Sequence, residues 1–288
     1  MPRTSSSAIV RFYRAADKWN RRRVAKINSR RRLGQKYEFE LAVLGIMKNE
    51  EQNVEEWIEH YLWQGAGRIF LIDNGSTDKT VELLQPWVER GLVEIIHLTE
   101  PYRQREHCHT AVRKFKILKK ARWLLIADLD EFWFCKDGSG VAEKLESYEE
   151  ADLIYASWSD FGSSGHIQHP ESLRTELTFR CPRSSARYIG KWVCRTSALK
   201  RVGSISIHHV LCVSSAATLT DNDTFQINHY KIQSRDFWEN TKLRRGDSHF
   251  ETNNRSMEEF YAIDQAATVE DRVLADMVLA KQKNYPKS

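Results

Sequence analysis

No run in this 288-residue chain approaches the roughly 18 consecutive apolar residues that a membrane span needs. Its first residues also lack a short apolar core followed by a small-residue cleavage site. The expectation from these absences is a cytoplasmic protein, at most peripheral at the inner face of a membrane. Cysteine is scarce: Cys108, Cys135, Cys181, Cys194 and Cys212 form an odd set of five with no C-x-x-C pair. That argues against a disulfide framework or a zinc knuckle and leaves buried free thiols as the simpler account.

Acid is nearly absent from the start of the chain. Residues 1–36 hold twelve Lys and Arg and one acid, Asp17, for a net +11, while the remainder carries −6 against the chain's +5. Within this arm Ile9, Val10, Phe12, Tyr13, Ala16 and Trp19 alternate loosely with Arg11, Arg14 and Lys18, and two Arg triplets follow. Such a segment suits an amphipathic helix on an anionic membrane surface, at about 1 kcal/mol per basic residue, or a disordered arm. No nucleic-acid partner is expected, because the rest of the chain shows no basic stripe interleaved with aromatics.

From about residue 39 the pattern alternates between short apolar runs and helical periodicity. Residues 39–46, 68–72, 93–98 and 124–127 read as buried strands. Between them, residues 50–64 place Val54, Trp57, Ile58, Tyr61 and Leu62 on one helical face, Ser76-Thr77-Asp78 caps a helix through Val88, and residues 104–120 form another helix. The expected fold class is therefore α/β, a mainly parallel sheet with flanking helices. Near the C-terminus, Ser256-Met257-Glu258-Glu259 is a capping box, and Thr268 before Asp271 suggests a second helix start.

Ligands of such sheets sit at the carboxyl ends of the strands, and those ends are polar here. The first strand runs into Lys48-Asn49-Glu50-Glu51 and the second into Asp73-Asn74-Gly75-Ser76-Thr77-Asp78. The fourth, Leu124-Leu125-Ile126-Ala127, runs into Asp128-Leu129-Asp130-Glu131, three carboxylates in four positions. Crowded carboxylates at the end of a buried strand repel one another and lose hydration. A hard divalent cation carrying a diphosphate is the usual compensation; a solvated acidic turn is the plain alternative.

In this order the three segments resemble a GT-A-fold glycosyltransferase, of the family 2-like and family 92-like (DUF23-type) kind. The resemblance extends over about residues 40–246 through Trp158-Ser159-Asp160-Phe161-Gly162-Ser163-Ser164-Gly165, Lys191, His208-His209 and Asn228-His229-Tyr230-Lys231. It implies a GT-A domain over 38–250, between a basic amphipathic or disordered arm (1–37) and a C-terminal helical extension (251–288). It also implies transfer of a sugar from a nucleotide diphosphate sugar, a UDP-sugar by preference, to a saccharide or glycolipid hydroxyl, with Mn²⁺ or Mg²⁺ as cofactor. By this likeness Asn49, Glu50, Asp73, Asn74, Ser76, Asp78, Asp128 and Lys191 would bind the nucleotide sugar. Asp128 and Asp130 match the D-x-D motif, with His229 the first candidate for a histidine ligand and His209 the second. For the catalytic base the candidates are Asp160, which precedes a glycine-containing loop, Glu131, which could instead support the D-x-D pair, and Glu176 as a third option.

Rival chemistries share fragments of the pattern. A D-x-D phosphatase expects the motif near the start of its domain, followed by Gly-Thr, and here Glu131-Phe132 follows. A sugar nucleotidyltransferase expects a glycine-rich basic loop after the first strand, where this chain is acidic. A non-catalytic nucleotide-sugar-binding module remains the alternative from another class.

Overall fold

The computed structural model describes residues 36–183, 190–199, 201–210, 217–245 and 255–284. Residues 1–35, and with them nearly all of the basic arm, lie outside these segments, as does Cys212. The four described cysteines are free thiols, and Cys108, Cys135 and Cys194 are buried.

Strand β1 (Phe39–Met47) is fully buried from Leu41 to Leu44, as a central strand covered on both faces must be. With β2 (Ala66–Asp73), β3 (Val93–His97) and β4 (Ala121–Ile126) it forms a parallel sheet in the order β3-β2-β1-β4. Alternation along β1 and β4 divides the core into two layers. Leu41, Val43, Trp123 and Leu125 pack with Trp57 and Tyr61 on one side, while Ala42, Leu44, Leu124 and Ile126 meet Val112 and Phe115 on the other.

The second half of the sheet is mixed. It is built from β5 (Glu131–Cys135), β6 (Leu153–Asp160), β8 (Gly190–Arg195), β9 (Thr218–Thr220) and β10 (Phe225–His229). Strand β8 enters antiparallel between β4 and β6, β10 runs parallel to β6, and β5 pairs antiparallel with β10 at the far edge. The fold class is the α/β one expected, with the parallel pairing concentrated in the N-terminal half. The short β7 (Phe179–Arg180) and β11 (Val269–Glu270) form a separate ribbon.

Helix α1 (Val54–Trp63) buries Val54, Trp57, Ile58 and Tyr61, the face its spacing foretold. Two other helices differ from expectation. The segment 104–120 breaks after α2 (Gln104–Lys114): Lys116 sits at φ 58°, and a separate turn, Ile117–Lys120, feeds β4. The segment after Asp78 splits into Thr80–Leu83 and Gln85–Glu89, where Pro86, without an N–H, fits a helix start better than a helix interior.

Helix α3 (Met257–Ala266) begins where the capping box placed it, with Ser256 Oγ accepting the Glu259 N–H. The second cap is not at Thr268. Val269 and Glu270 instead pair with β7, and Asp271 Oδ1 accepts the N–H of Val273 to open α4 (Val273–Asn284). Helix α4 shares the main core, with Leu274 and Val278 in the same cluster as Trp57, whereas Phe260 of α3 packs in a separate small cluster with Ile232 and Trp238; Arg180 Nε donates to Asp271 Oδ2 at 2.7 Å. At Gly162 a Cβ would meet the Ala267 Cβ at 2.6 Å. The glycine of that loop therefore admits the end of α3.

Candidate functional site

Parallel pairing sets the carboxyl ends of β1, β2 and β4 on one edge, with Met47 opposite Asp73 and Leu44 opposite Ile126. The loops that leave this edge are tied to one another. Asn49 N–H donates to Ser76 Oγ at 3.0 Å, and Asn49 Oδ1 accepts the Thr77 N–H at 2.8 Å. Glu50 N–H donates to Thr80 Oγ1 and its Oε2 accepts from Asn53. Asp73 accepts the Ser76 N–H and contacts His97 Nδ1, both at 3.0 Å, while the Asn74 amide holds Leu98 O at 2.6 Å. Asp78 accepts N–H groups from Thr80 and Glu51.

A cleft of about 430 Å³ opens above this edge, with Lys48, Glu50, Asn74, Asp128, Asp130 and His229 among its lining. Not every residue expected at the nucleotide faces it. Asn49 and Asp78 line a neighbouring depression of about 760 Å³, beside Gln168 and Asn240.

The acidic cluster is assembled by strand register. His229 at the end of β10 stands opposite Glu131 on β5 and opposite Asp160 on β6, so the three share one row across the sheet. His229 Nδ1 donates to Asp160 Oδ1 at 2.7 Å, and its ring stacks on Trp158 at 4.5 Å between centroids. Its Nε2 points to Asp130, 3.9 Å from Oδ1. Asp130 is fixed from behind, its carbonyl accepting the Tyr230 N–H, and its Oδ2 takes the Lys242 ammonium at 2.5 Å. Asp128 is held by its carbonyl on the Trp57 indole N–H and by Oδ2 on Lys191 Nζ at 2.8 Å.

Lys191 and Glu131 are wholly buried. Burial opposes charge on Lys191, but the Asp128 and Glu131 carboxylates prevail and hold its pKa above the usual lysine value. Burial pushes the Glu131 carboxyl up to about 7, with Lys191 acting against it. Glu131 Oε2 accepts the Asp128 N–H at 3.0 Å, so this carboxylate buttresses the D-x-D turn and, without exposed surface, is out of reach of an acceptor hydroxyl. Lys191 likewise is enclosed behind Asp128 and does not line the cleft.

For His229 burial favours the neutral ring, yet the Asp160 hydrogen bond and the nearby Asp130 charge raise its pKa. For Asp160 burial opposes ionisation, and the bond and charge of His229 outweigh it, lowering the pKa. An ionised Asp160 can only accept, so Nδ1 carries the proton and Nε2 is the nitrogen turned to Asp130.

These residues fit a divalent cation. Asp160–His229 is the carboxylate–imidazole pairing that orients histidine ligands at metal centres. Two ligand atoms each about 2.1 Å from one ion can lie up to about 4.2 Å apart, and Nε2 to Asp130 Oδ1 is 3.9 Å. Among the described residues no three His, Cys, Asp or Glu side chains already converge into a closed cage. Further positions would fall to phosphate oxygens and water, as magnesium-type sites prefer.

Three further residues of the cleft carry weaker signals in the sequence. Lys242 opens the run Lys242 to Arg245, which reads either as a loop closing over the donor or as a solvated charge run. Trp158 read as core by default. Of the His208-His209 pair, His208 is the one that lines the cleft, its ring edge-on to Trp158 with centroids 5.5 Å apart. The only sequence signal for that choice was that adjacent strand residues face opposite ways.

With this geometry in hand, comparison with known proteins is specific. A family model, glycosyltransferase family 92, matches residues 42–263. The chain belongs to glycosyltransferase family 92. A family 92 protein from Ricinus communis is 24% identical over 225 residues, covering 72% of this chain and 37% of the relative. Galactan beta-1,4-galactosyltransferase GALS2 from Arabidopsis thaliana is 26% identical over 134 residues, covering 43% of this chain and 25% of the relative. This chain thus spans well under half the length of these relatives. Among solved structures, S. aureus TarS 1-349 in complex with UDP-GlcNAc is similar at 13% identity and a TM-score of 0.47, covering 86% of this chain and 73% of that one.

Proposed function

We propose that this protein transfers a hexosyl group from a nucleotide diphosphate sugar, UDP-linked by preference, to a hydroxyl of a saccharide or glycolipid, with Mn²⁺ or Mg²⁺ as cofactor. The observation that carries the reading is the Asp160–His229–Asp130 row in a cleft at the strand ends. Family membership and the relative named as a galactosyltransferase support it. A bound cation would supply positive charge against the negative charge that builds on the departing diphosphate.

The chain's own residues set up that chemistry. Asp130 and His229 hold the cation. Asp128, steadied by Lys191, presents its remaining acceptor capacity to the ribose or the metal. Glu50 and Asn74 line the same cleft. Asp160 keeps His229 in the ligating tautomer. With its side chain 46% exposed, against 10% for Asp130 and none for Glu131, it is the carboxylate best placed to take the acceptor proton.

A donor screen tests this reading: purified protein with a panel of nucleotide sugars, with Mn²⁺ or with chelator, read by thermal shift. A ligand at about 100 times its dissociation constant adds roughly 2.7 kcal/mol to stability. One UDP-sugar should stabilise the protein in a metal-requiring way, and the same sugar should then be consumed on adding a suitable saccharide. Absence of any nucleotide response, with or without metal, would remove the reading.

Among the described residues no helix is long and apolar enough to cross a membrane. For the acceptor side we propose that the basic arm holds an anionic membrane surface, on the strength of its net +11. Deleting residues 1–36 should abolish co-sedimentation with phosphatidylserine-containing vesicles at low salt. Undiminished binding would exclude the arm from that role.

A further inference from the structure

The Lys242 ammonium stands on the same carboxylate that the proposed cation requires. Its Nζ lies 2.5 Å from Asp130 Oδ2, its side chain is 4% exposed, and it faces the cleft rather than the core. The backbone that presents it is unusual: Trp238–Lys242 forms a π-helical turn, a conformation concentrated at functional sites. Arg255 Nη1 donates to the Lys242 carbonyl at 3.2 Å, so a second cation at the cleft is coupled to the same turn.

The charges of the cluster give this contact a consequence. Four carboxylates, Asp128, Asp130, Glu131 and Asp160, face Lys191, Lys242 and His229. Lys191 is enclosed and committed to Asp128 and Glu131. Lys242 is the ammonium that shares Asp130 with the cleft. A divalent ion arriving alone at Asp130 must sit beside that ammonium, and two cations a few ångströms apart in a poorly hydrated pocket repel strongly. A diphosphate arriving with the ion reverses the sign of the problem, because it offers Lys242 a new anionic partner within the same cleft.

We propose that Lys242 holds the place of the cation on Asp130 until a nucleotide diphosphate arrives and then transfers to the diphosphate, so that cation and nucleotide bind with strong positive coupling. This inference rests on the nucleotide-sugar reading above and adds a binding order to it. Coupling of this kind is reciprocal: each ligand must tighten the other by the same factor.

The test is Mn²⁺ binding to the full chain, followed by the electron paramagnetic resonance signal of free Mn²⁺, with and without UDP. In the wild type UDP should tighten Mn²⁺ at least tenfold, and Mn²⁺ should tighten UDP equally. Lys242→Met should bind Mn²⁺ without UDP at least tenfold more tightly than the wild type and lose most of the coupling, while Lys242→Arg should keep it. Equal or weaker Mn²⁺ binding by Lys242→Met would overturn the proposal. Independent binding of the two ligands to the wild type would do so without any variant, should Lys242→Met fail to fold. If UDP binds neither protein under any condition, the donor reading fails first and takes this inference with it.

Discussion

Asp130→Ala should lower kcat/KM for glycosyl transfer by about a thousandfold, the upper range for losing one preorganised electrostatic contact to the transition state. The size follows from how much converges on this side chain: the His229 Nε2 direction, the Lys242 ammonium and the proposed cation. The backbone there is held independently, by the Tyr230 N–H on the Asp130 carbonyl, so the turn should survive the change. Initial rates together with the Mn²⁺-dependent thermal shift check it, and Asp130→Asn serves as the conservative control. Transfer within tenfold of wild type would place the cation elsewhere.

Lys191→Met should cost about 3–5 kcal/mol of stability, the range for removing one partner of a buried ion pair. Lys191 has no exposed surface, and its departure leaves the enclosed Glu131, already pushed up to about 7 with the lysine present, to bear an unpaired charge beside Asp128 or to take up a proton. Adding Glu131→Gln to Lys191→Met should recover much of the loss, because the second change removes the stranded charge while keeping the shape. Urea midpoints for the two single variants and the double variant measure this. A loss under about 1 kcal/mol for Lys191→Met, or no recovery in the double variant, would show that the pair does not carry the local stability.

The parts of the fold visible in the sequence were those fixed by local periodicity. The run into Asp128 and the face of α1 need only neighbours along the chain to be recognised, and Ser256 announces its helix within four residues. The misjudged pieces had a local signal overruled from a distance. Thr268 precedes a short strand because β7 supplies it with a partner, and the helix after Gln104 ends early because Lys116 adopts a left-handed turn that redirects the chain into β4. In the site, the acids stood out because clustered carboxylates are costly. Their partners, Lys191 and Lys242, come from 63 and 112 positions away, and nothing local distinguishes them from surface lysines. The Phe161–Gly165 loop was legible as glycine-dependent, but not that the space at Gly162 belongs to α3.

The row of Glu131, His229 and Asp160 also works as a checksum on folding. A one-residue slip of β10 would turn His229 to the opposite side of the sheet and bring forward Asn228, now buried and bonded to Tyr230. The imidazole and the carboxylate that orients it are 69 positions apart, so neither can meet the other until the non-local, slow-forming half of the sheet has closed in the right alignment. A chain with its helices formed and its N-terminal strands paired would still lack this row, and capture of the proposed metal–nucleotide pair would be the last property to appear.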